Sequence, residues 1–566
     1  MENKMNKKVI AIIAVIAVAV VAIIGIGINK TKDIGKTHNT ISHEQAVKEL
    51  SRLYNKVDID TASPEKAPIT SIASSVADEL PDIDKSYPLT VKGKGDVDIE
   101  IFTSTEKGGS GTDGWLNDVA EDFNAKGYKV NGKKVSVSVR SIATGTAVEY
   151  INANVYKPDA YTPSNEFFGE MIASSGIKIN KVSDKLVGNT AGILLSKKAQ
   201  TAIKEKYGEV SFKTVVNATQ DGIITMGYTN PFSSATGLNF LISTLNSYDS
   251  ENILSDAAIE GFNAFQKNVP LVSFTTLQMR ESAESGVLDG FIMEYQTYIN
   301  DKSLSSYKFI PFGAYHNNPL YSIGVLSDDK EAALKQFAGF AGSQQAQKLA
   351  EKYGFNVDLG YKTDMKIPDG KTCIAAQKLW KDNKDSGQEI VSVFVVDTSG
   401  SMDGEPINTL KSSLINSINY ISNDAYVGLI TYDDVVTKQL EIDKFDLNHK
   451  AYFKGAVQSF SAGGGTAMYS GIVVGLQMLE DALADHPNAK PMLFVLTDGE
   501  PNEWMDLNDV KTTIDGLNVP IYTIGYGSGA NMETLGEISS INEAASISAT
   551  TDDVIYKIKN LFNAEL

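Results

Sequence analysis

The chain has 566 residues, of which 42% are hydrophobic and 21% charged, with a formal net charge of −19. That length exceeds one ordinary core and calls for roughly two to four domains. The acidic balance argues against a nucleic-acid binder, which needs a basic footprint, and a single cysteine, Cys373, excludes an intramolecular disulfide and a cysteine-based zinc site.

Val9 to Ile28 is an unbroken run of 20 Val, Ile, Ala and Gly residues. A helix of that length spans a hydrocarbon core of roughly 30 Å. Lys4, Lys7 and Lys8 precede it, and Lys30, Lys32 and Lys36 follow it. The pattern predicts a cytoplasmic tail over 1–8 and a transmembrane signal anchor over 9–28, with the bulk of the chain extracellular; a cleaved signal is the alternative. Export without disulfides fits a bacterial, single-pass cell-membrane protein. Residues 29–95 read as a stalk. They hold one short helix near 43–57, then Pro64, Pro68, Pro81 and Pro88 among polar residues.

From Asp96 the pattern becomes strand, polar loop, helix, repeated. Asp98-Ile-Glu-Ile-Phe102 is a strand, Trp115, Val119 and Phe123 mark a helical face, and Val135-Ser-Val-Ser-Val-Arg140 alternates as a second strand. Such α/β sheets place ligands beyond the carboxyl ends of their strands. Residues 96–370 resemble the bacterial extracellular solute-binding proteins of the type-2 periplasmic class. Pro158-Asp-Ala-Tyr-Thr-Pro-Ser164, Leu186-Val-Gly-Asn-Thr-Ala-Gly-Ile-Leu-Leu-Ser196, Met226-Gly-Tyr-Thr-Asn-Pro-Phe-Ser-Ser-Ala-Thr-Gly237 and Ile310-Pro-Phe-Gly313 carry the resemblance, as does the helix from Gln344 to Phe355. It implies two lobes closing over a small polar or anionic ligand. The hydroxyl candidates are Ser104, Thr105, Thr144, Thr146, Ser164, Thr229, Ser233, Ser234 and Thr236. The same residues also serve as caps and turns, and a receptor retained only as a scaffold is the other outcome.

After a connector at 371–388, Ile390-Val-Ser-Val-Phe-Val-Val396 is a strand apolar on both faces, as in parallel sheets. It ends in Asp397-Thr-Ser399-Gly-Ser401. Gly463-Gly-Gly-Thr466 enters a helix, and Met492-Leu-Phe-Val-Leu496 is a second buried strand ending in Thr497-Asp498. Asp397, Ser399, Ser401, Thr466 and Asp498 are hard oxygen donors without His or Cys. They suit Mg²⁺, or Mn²⁺ or Ca²⁺. Residues 389–566 resemble the von Willebrand factor A (VWA) family with its metal-ion-dependent adhesion site. That resemblance implies a Rossmann-like doubly wound fold. It also implies that Ser399, Ser401 and Thr466 touch the metal, with Asp397 and Asp498 acting mostly through bound water. One coordination position then stays open for an acidic residue of a protein partner.

No P-loop, nucleophile elbow, HExxH pair or well-spaced dinucleotide loop occurs, so no enzymatic activity is expected. The expectation is an α/β protein with a transmembrane helix, a two-lobed solute-binding-like domain and a VWA domain. It would bind a partner's carboxylate through a divalent metal and a small ligand between its lobes. The alternative is a transport receptor tethered by its VWA domain.

Overall fold

A computed structural model of the chain describes residues 41–69, 76–269, 271–273, 288–385, 387–527, 529–542, 544, 546–550 and 553–566. The expected anchor at 9–28 lies outside these residues. No helix among the described residues is long and apolar enough to cross a membrane. Among the described residues the architecture is therefore corrected to an α/β chain with two domains and no membrane-spanning helix, and the single-pass localisation is withdrawn with it.

The carboxyl-terminal domain is built on a seven-stranded sheet in the order Ile59–Thr61, Val436–Lys444, Tyr426–Tyr432, Ile390–Asp397, Lys490–Thr497, Ile521–Tyr526, Ser546–Ala549. The central strand, Ile390–Asp397, is buried along its whole length and pairs in parallel with both neighbours. This accounts for its unbroken apolar sequence. Helices cover both faces, so the sheet has two apolar cores, one holding Phe394, Leu410 and Phe562 and the other Val395, Ile472 and Leu493.

The edge strand of this sheet comes from the other end of the chain. Ile59–Thr61 pairs in parallel with Val436–Lys444, with Ile59 opposite Val436. The preceding helix, His43–Tyr54, starts on a capping box formed by Ser42 and Gln45. It buries Ala46, Leu50 and Leu53 in the same core as Ile472, Val510 and Ile514. Gly516 allows the close approach, because a Cβ there would sit 2.7 Å from the Ala46 Cβ. The stalk expected over 29–95 is corrected for this part: residues 43–61 are integral to the carboxyl-terminal domain. Their apolar stripe meets a surface formed by residues far along the chain.

The middle domain is consequently an insertion with two lobes. The first lobe carries a sheet ordered Leu89–Val91, Lys133–Ser141, Val97–Thr103, Ala160–Thr162, Leu320–Ile323, Ile179–Ser183. The second carries Leu271–Ser273, Met226–Thr229, Gly290–Glu294, Ala191–Leu195, Lys308–Pro311. The chain crosses between lobes twice, and the two crossings touch at the antiparallel bridge Asn189–His316. The connector expected at 371–388 is largely the helix Gly370–Asn383. Its Trp380 is fully buried and donates to Tyr228 Oη at 2.7 Å.

Candidate functional site

Two groups of polar side chains lie where strands end. In the carboxyl-terminal domain, Asp397 closes the central strand and Asp498 follows its neighbour Lys490–Thr497. Asp397 Oδ1 accepts from the Ser399 backbone N–H at 2.8 Å, and Oδ2 accepts from Thr497 Oγ1 at 2.6 Å. These bonds hold the turn so that the Ser399 and Ser401 hydroxyls stand 3.1 Å apart. Ser401 Oγ in turn donates to Asp498 Oδ1 at 2.8 Å. The glycine loop before Thr466 is tied to this turn, since Gly400 N–H donates to Gly464 C=O at 3.1 Å and Gly463 N–H to Thr398 C=O at 2.9 Å.

The Thr466 backbone is gripped from the other side. Its N–H donates to Asn502 Oδ1 at 2.7 Å, and its C=O accepts from Asn502 N–H at 3.2 Å. Asn502 therefore positions the threonine, a role its sequence neighbourhood does not signal. Glu503 accepts from the Ser470 N–H at 3.1 Å and from the Ser470 hydroxyl at the start of the helix Met468–Asp485.

Burial raises the pKa of both aspartates: Asp397, fully buried, is pushed up by desolvation and further by Asp498, and Asp498 by desolvation. Among the described residues, the main influences on the two carboxyls are burial, hydroxyl and backbone donors and, for Asp397, the charge of Asp498, none of them a basic side chain. Two desolvated carboxylates beside two hydroxyls, without a cationic partner, fit a small hard cation. Its charge would supply the missing electrostatic balance.

The second group lies between the lobes. The hydroxyl candidates divide by environment. Ser104 accepts from Lys107 Nζ at 2.7 Å and from Ser164 Oγ at 3.2 Å. Thr236 donates to Glu294 Oε1 at 3.1 Å across the second lobe. Thr144 and Thr105 begin helices, the first buried and the second half-buried. Thr229 donates to Ser234, which caps the helix Ala235–Tyr248 through Gly237 N–H, and Ser233 donates to the Asn230 carbonyl. These three serve their own turn. Thr146 faces away from the other hydroxyls. It accepts from Tyr556 Oη at 3.0 Å, and Tyr556 belongs to the last helix of the carboxyl-terminal domain, Val554–Glu565.

At the centre is a network that hydroxyl counting misses. Buried Glu294 accepts from His316 Nδ1 at 2.8 Å, while His316 Nε2 faces Asn165 Nδ2 at 3.1 Å and Asn239 Nδ2 at 3.2 Å. Asn239 is locked in that orientation, because its Nδ2 donates to Ala314 C=O and its Oδ1 accepts from Ala314 N–H, each at 2.9 Å. The imidazole is thereby assigned as neutral, with the proton on Nδ1. The available signal was Phe291-Ile-Met-Glu294, a carboxylate at the end of a buried strand.

The lobes touch beside this network. Gly145 N–H donates to Ser233 C=O at 3.0 Å, and a Cβ at Gly145 would lie 1.7 Å from the Phe232 carbonyl oxygen. Gly145 sits in the helix Thr144–Asn152, whose Glu149 accepts from Tyr556 and pairs with Lys559 Nζ at 3.3 Å. Lys559 also pairs with Glu79 at 3.2 Å, and Glu79 accepts from Tyr420 at 2.6 Å. One nine-residue helix thus touches both the lobe junction and the carboxyl-terminal domain.

Comparison with known proteins divides the chain in the same place. The family model described as bacterial extracellular solute-binding protein matches residues 108–356. The model for the von Willebrand factor type A domain matches residues 393–563. An uncharacterized protein of Synechocystis sp. is 29% identical over 174 residues, 30% of this chain and 40% of that protein. Inter-alpha-trypsin inhibitor heavy chain H1 of Bos taurus is 29% identical over 188 residues, 32% of this chain and 20% of its own length. The chain therefore spans less than half of either relative. Among solved structures, a von Willebrand factor type A protein from Catenulispora acidiphila is 21% identical, with a TM-score of 0.29 over 31% of this chain and 42% of that one. The sulfate-binding protein SubI from Mycobacterium tuberculosis is 19% identical, with a TM-score of 0.34 over 47% of this chain and 88% of that one. The chain thus carries a bacterial solute-binding domain over residues 108–356 and a von Willebrand factor type A domain over residues 393–563.

Proposed function

We propose that this protein binds an acidic residue of a protein partner through a divalent metal, Mg²⁺ or alternatively Mn²⁺ or Ca²⁺. Asp397, Ser399, Ser401, Thr466 and Asp498 would hold the ion. The inserted domain binds a small molecule between its lobes. One observation carries the reading: the two desolvated aspartates meet two adjacent hydroxyls and, among the described residues, no basic group. The bound ion supplies an electrophilic centre for the partner's carboxylate. The chain's own part is to keep Asp397 engaged with Ser399 and Thr497, so that few anionic oxygens neutralise the ion. The Tyr556 and Lys559 contacts with Thr146 and Glu149 support a further element, that lobe closure alters how the metal site is presented.

The test is calorimetric. Mg²⁺ is titrated into the full chain and into Asp498→Ala and Ser401→Ala variants, followed by selection of displayed peptides with and without Mg²⁺. Saturable binding lost in both variants, with selected peptides that fail when their Glu or Asp is amidated, is the expected result. No binding of Mg²⁺, Mn²⁺ or Ca²⁺ to the unaltered chain refutes the proposal.

A further inference from the structure

We infer that the junction between the two lobes is built to take a small organic cation bearing N–H donors, such as a primary amine, and not an anion. The inference rests on reading this domain as a solute receptor and names the chemistry of what it receives.

The argument begins with which hydrogen-bonding capacity is already used. An anion needs donors. At this junction the donors are committed: Ser164 donates to Ser104, Thr236 to Glu294, Thr229 to Ser234 and Ser233 to the Asn230 carbonyl. The Lys107 ammonium, fully buried, donates to Ser104 Oγ and to the Thr162 carbonyl at 2.8 Å. The free capacity is of the opposite kind. Asn165 is fully buried, and its Oδ1 accepts nothing although its Nδ2 lies in the His316 network. Glu106 Oε2 is likewise buried without a partner. The Thr103 and Thr162 hydroxyls, also buried and unpartnered, can take either role. A ligand that donates satisfies these oxygens, whereas one that only accepts leaves them stranded at a cost.

Charge points the same way. Glu106 comes from the first lobe and Glu294 from the second, and with the imidazole neutral only Lys107 opposes them. Burial, and then the charge of Glu294, raise the pKa of Glu106, and burial lowers that of Lys107. Glu106 therefore holds a proton at the junction, and closing the lobes on an ammonium group replaces that proton and supplies the missing donors. Of the loop hydroxyls that would hold an anion, those of Ser164, Thr229, Ser233 and Thr236 already donate within the protein.

The experiment uses the full chain and three probes in isothermal titration: putrescine, sulfate and glucose. Putrescine binding, without sulfate binding, is expected. Glu106→Gln should weaken it by about tenfold or more, because a charge-assisted hydrogen bond is lost. Lys107→Met should strengthen it, since the resident ammonium no longer competes; a gain cannot come from misfolding. Binding of sulfate or glucose but not putrescine overturns the inference while leaving a solute receptor in place. Putrescine binding that neither substitution alters overturns it too. If the chain binds none of the three, and native mass spectrometry finds no co-purified small molecule, the receptor reading falls along with the inference.

Discussion

Replacing Leu50 by alanine should destabilise a domain whose other strands begin more than three hundred residues later. Leu50 is fully buried in the core it shares with Ile472, Val510 and Ile514. Truncating a leucine in such a site costs about 2–5 kcal/mol, the transfer term plus the cavity it leaves. A domain of this size responds with roughly 2–4 °C per kcal/mol, so the carboxyl-terminal domain should melt about 4–20 °C lower. An exposed stalk residue would shift it by less than about 0.5 kcal/mol. The assay is thermal unfolding of the full chain, with hydrogen exchange followed in the strands Lys490–Thr497 and Ile521–Tyr526. Leu479→Ala, in the same core, is the positive control. If Leu479→Ala accelerates exchange in those strands and Leu50→Ala does not, the helix His43–Tyr54 is not part of that core.

Two further outcomes follow from the contacts between lobes and between domains. Gly145→Ala should hold the lobes apart, because its Cβ would overlap the Phe232 carbonyl; a larger radius of gyration by X-ray scattering checks this, and an unchanged one counts against the closed junction. Lys381 donates to the Phe562 carbonyl on the last helix, and burial lowers its pKa from 10.5 to about 7. A lysine depressed in the folded state leaves the unfolded state binding more protons between those two values. Stability should therefore rise with pH across that window, by up to about 1 kcal/mol per pH unit. Denaturant titrations at pH 7, 8 and 9 should show this slope, and Lys381→Met should flatten it.

The parts of this molecule that could be read from its sequence are those whose signal is local. Ile390–Asp397 announces itself by an apolar run that ends in Asp-Thr-Ser-Gly-Ser, because a strand buried on both faces can carry polar groups only at its end. The stripe of Ala46, Leu50 and Leu53 was equally visible as a short helix, but nothing nearby says what it covers. A three-residue strand such as Ile59–Thr61 falls below any periodicity. Glu294 and His316 meet only because two crossings between lobes lie side by side. The orientation of Thr146 depends on Tyr556, a residue of the other domain. Hydroxyl-rich loops mark where donors lie, but a sequence does not show which of them have already donated, as Thr236 does to Glu294.

The insertion of one domain within another also sets an order of events during synthesis. The helix His43–Tyr54 and the strand Ile59–Thr61 leave the ribosome early, while the strand they complete begins at Val436. At elongation rates of roughly 5–20 residues per second, the delay is on the order of tens of seconds. During that interval Ala46, Leu50 and Leu53 have no surface to cover, whereas the inserted domain is already whole and able to fold. A segment made early is thus among the last to be seated, and a nascent chain stalled before Val436 would display that leucine-bearing stripe to whatever waits at the tunnel exit.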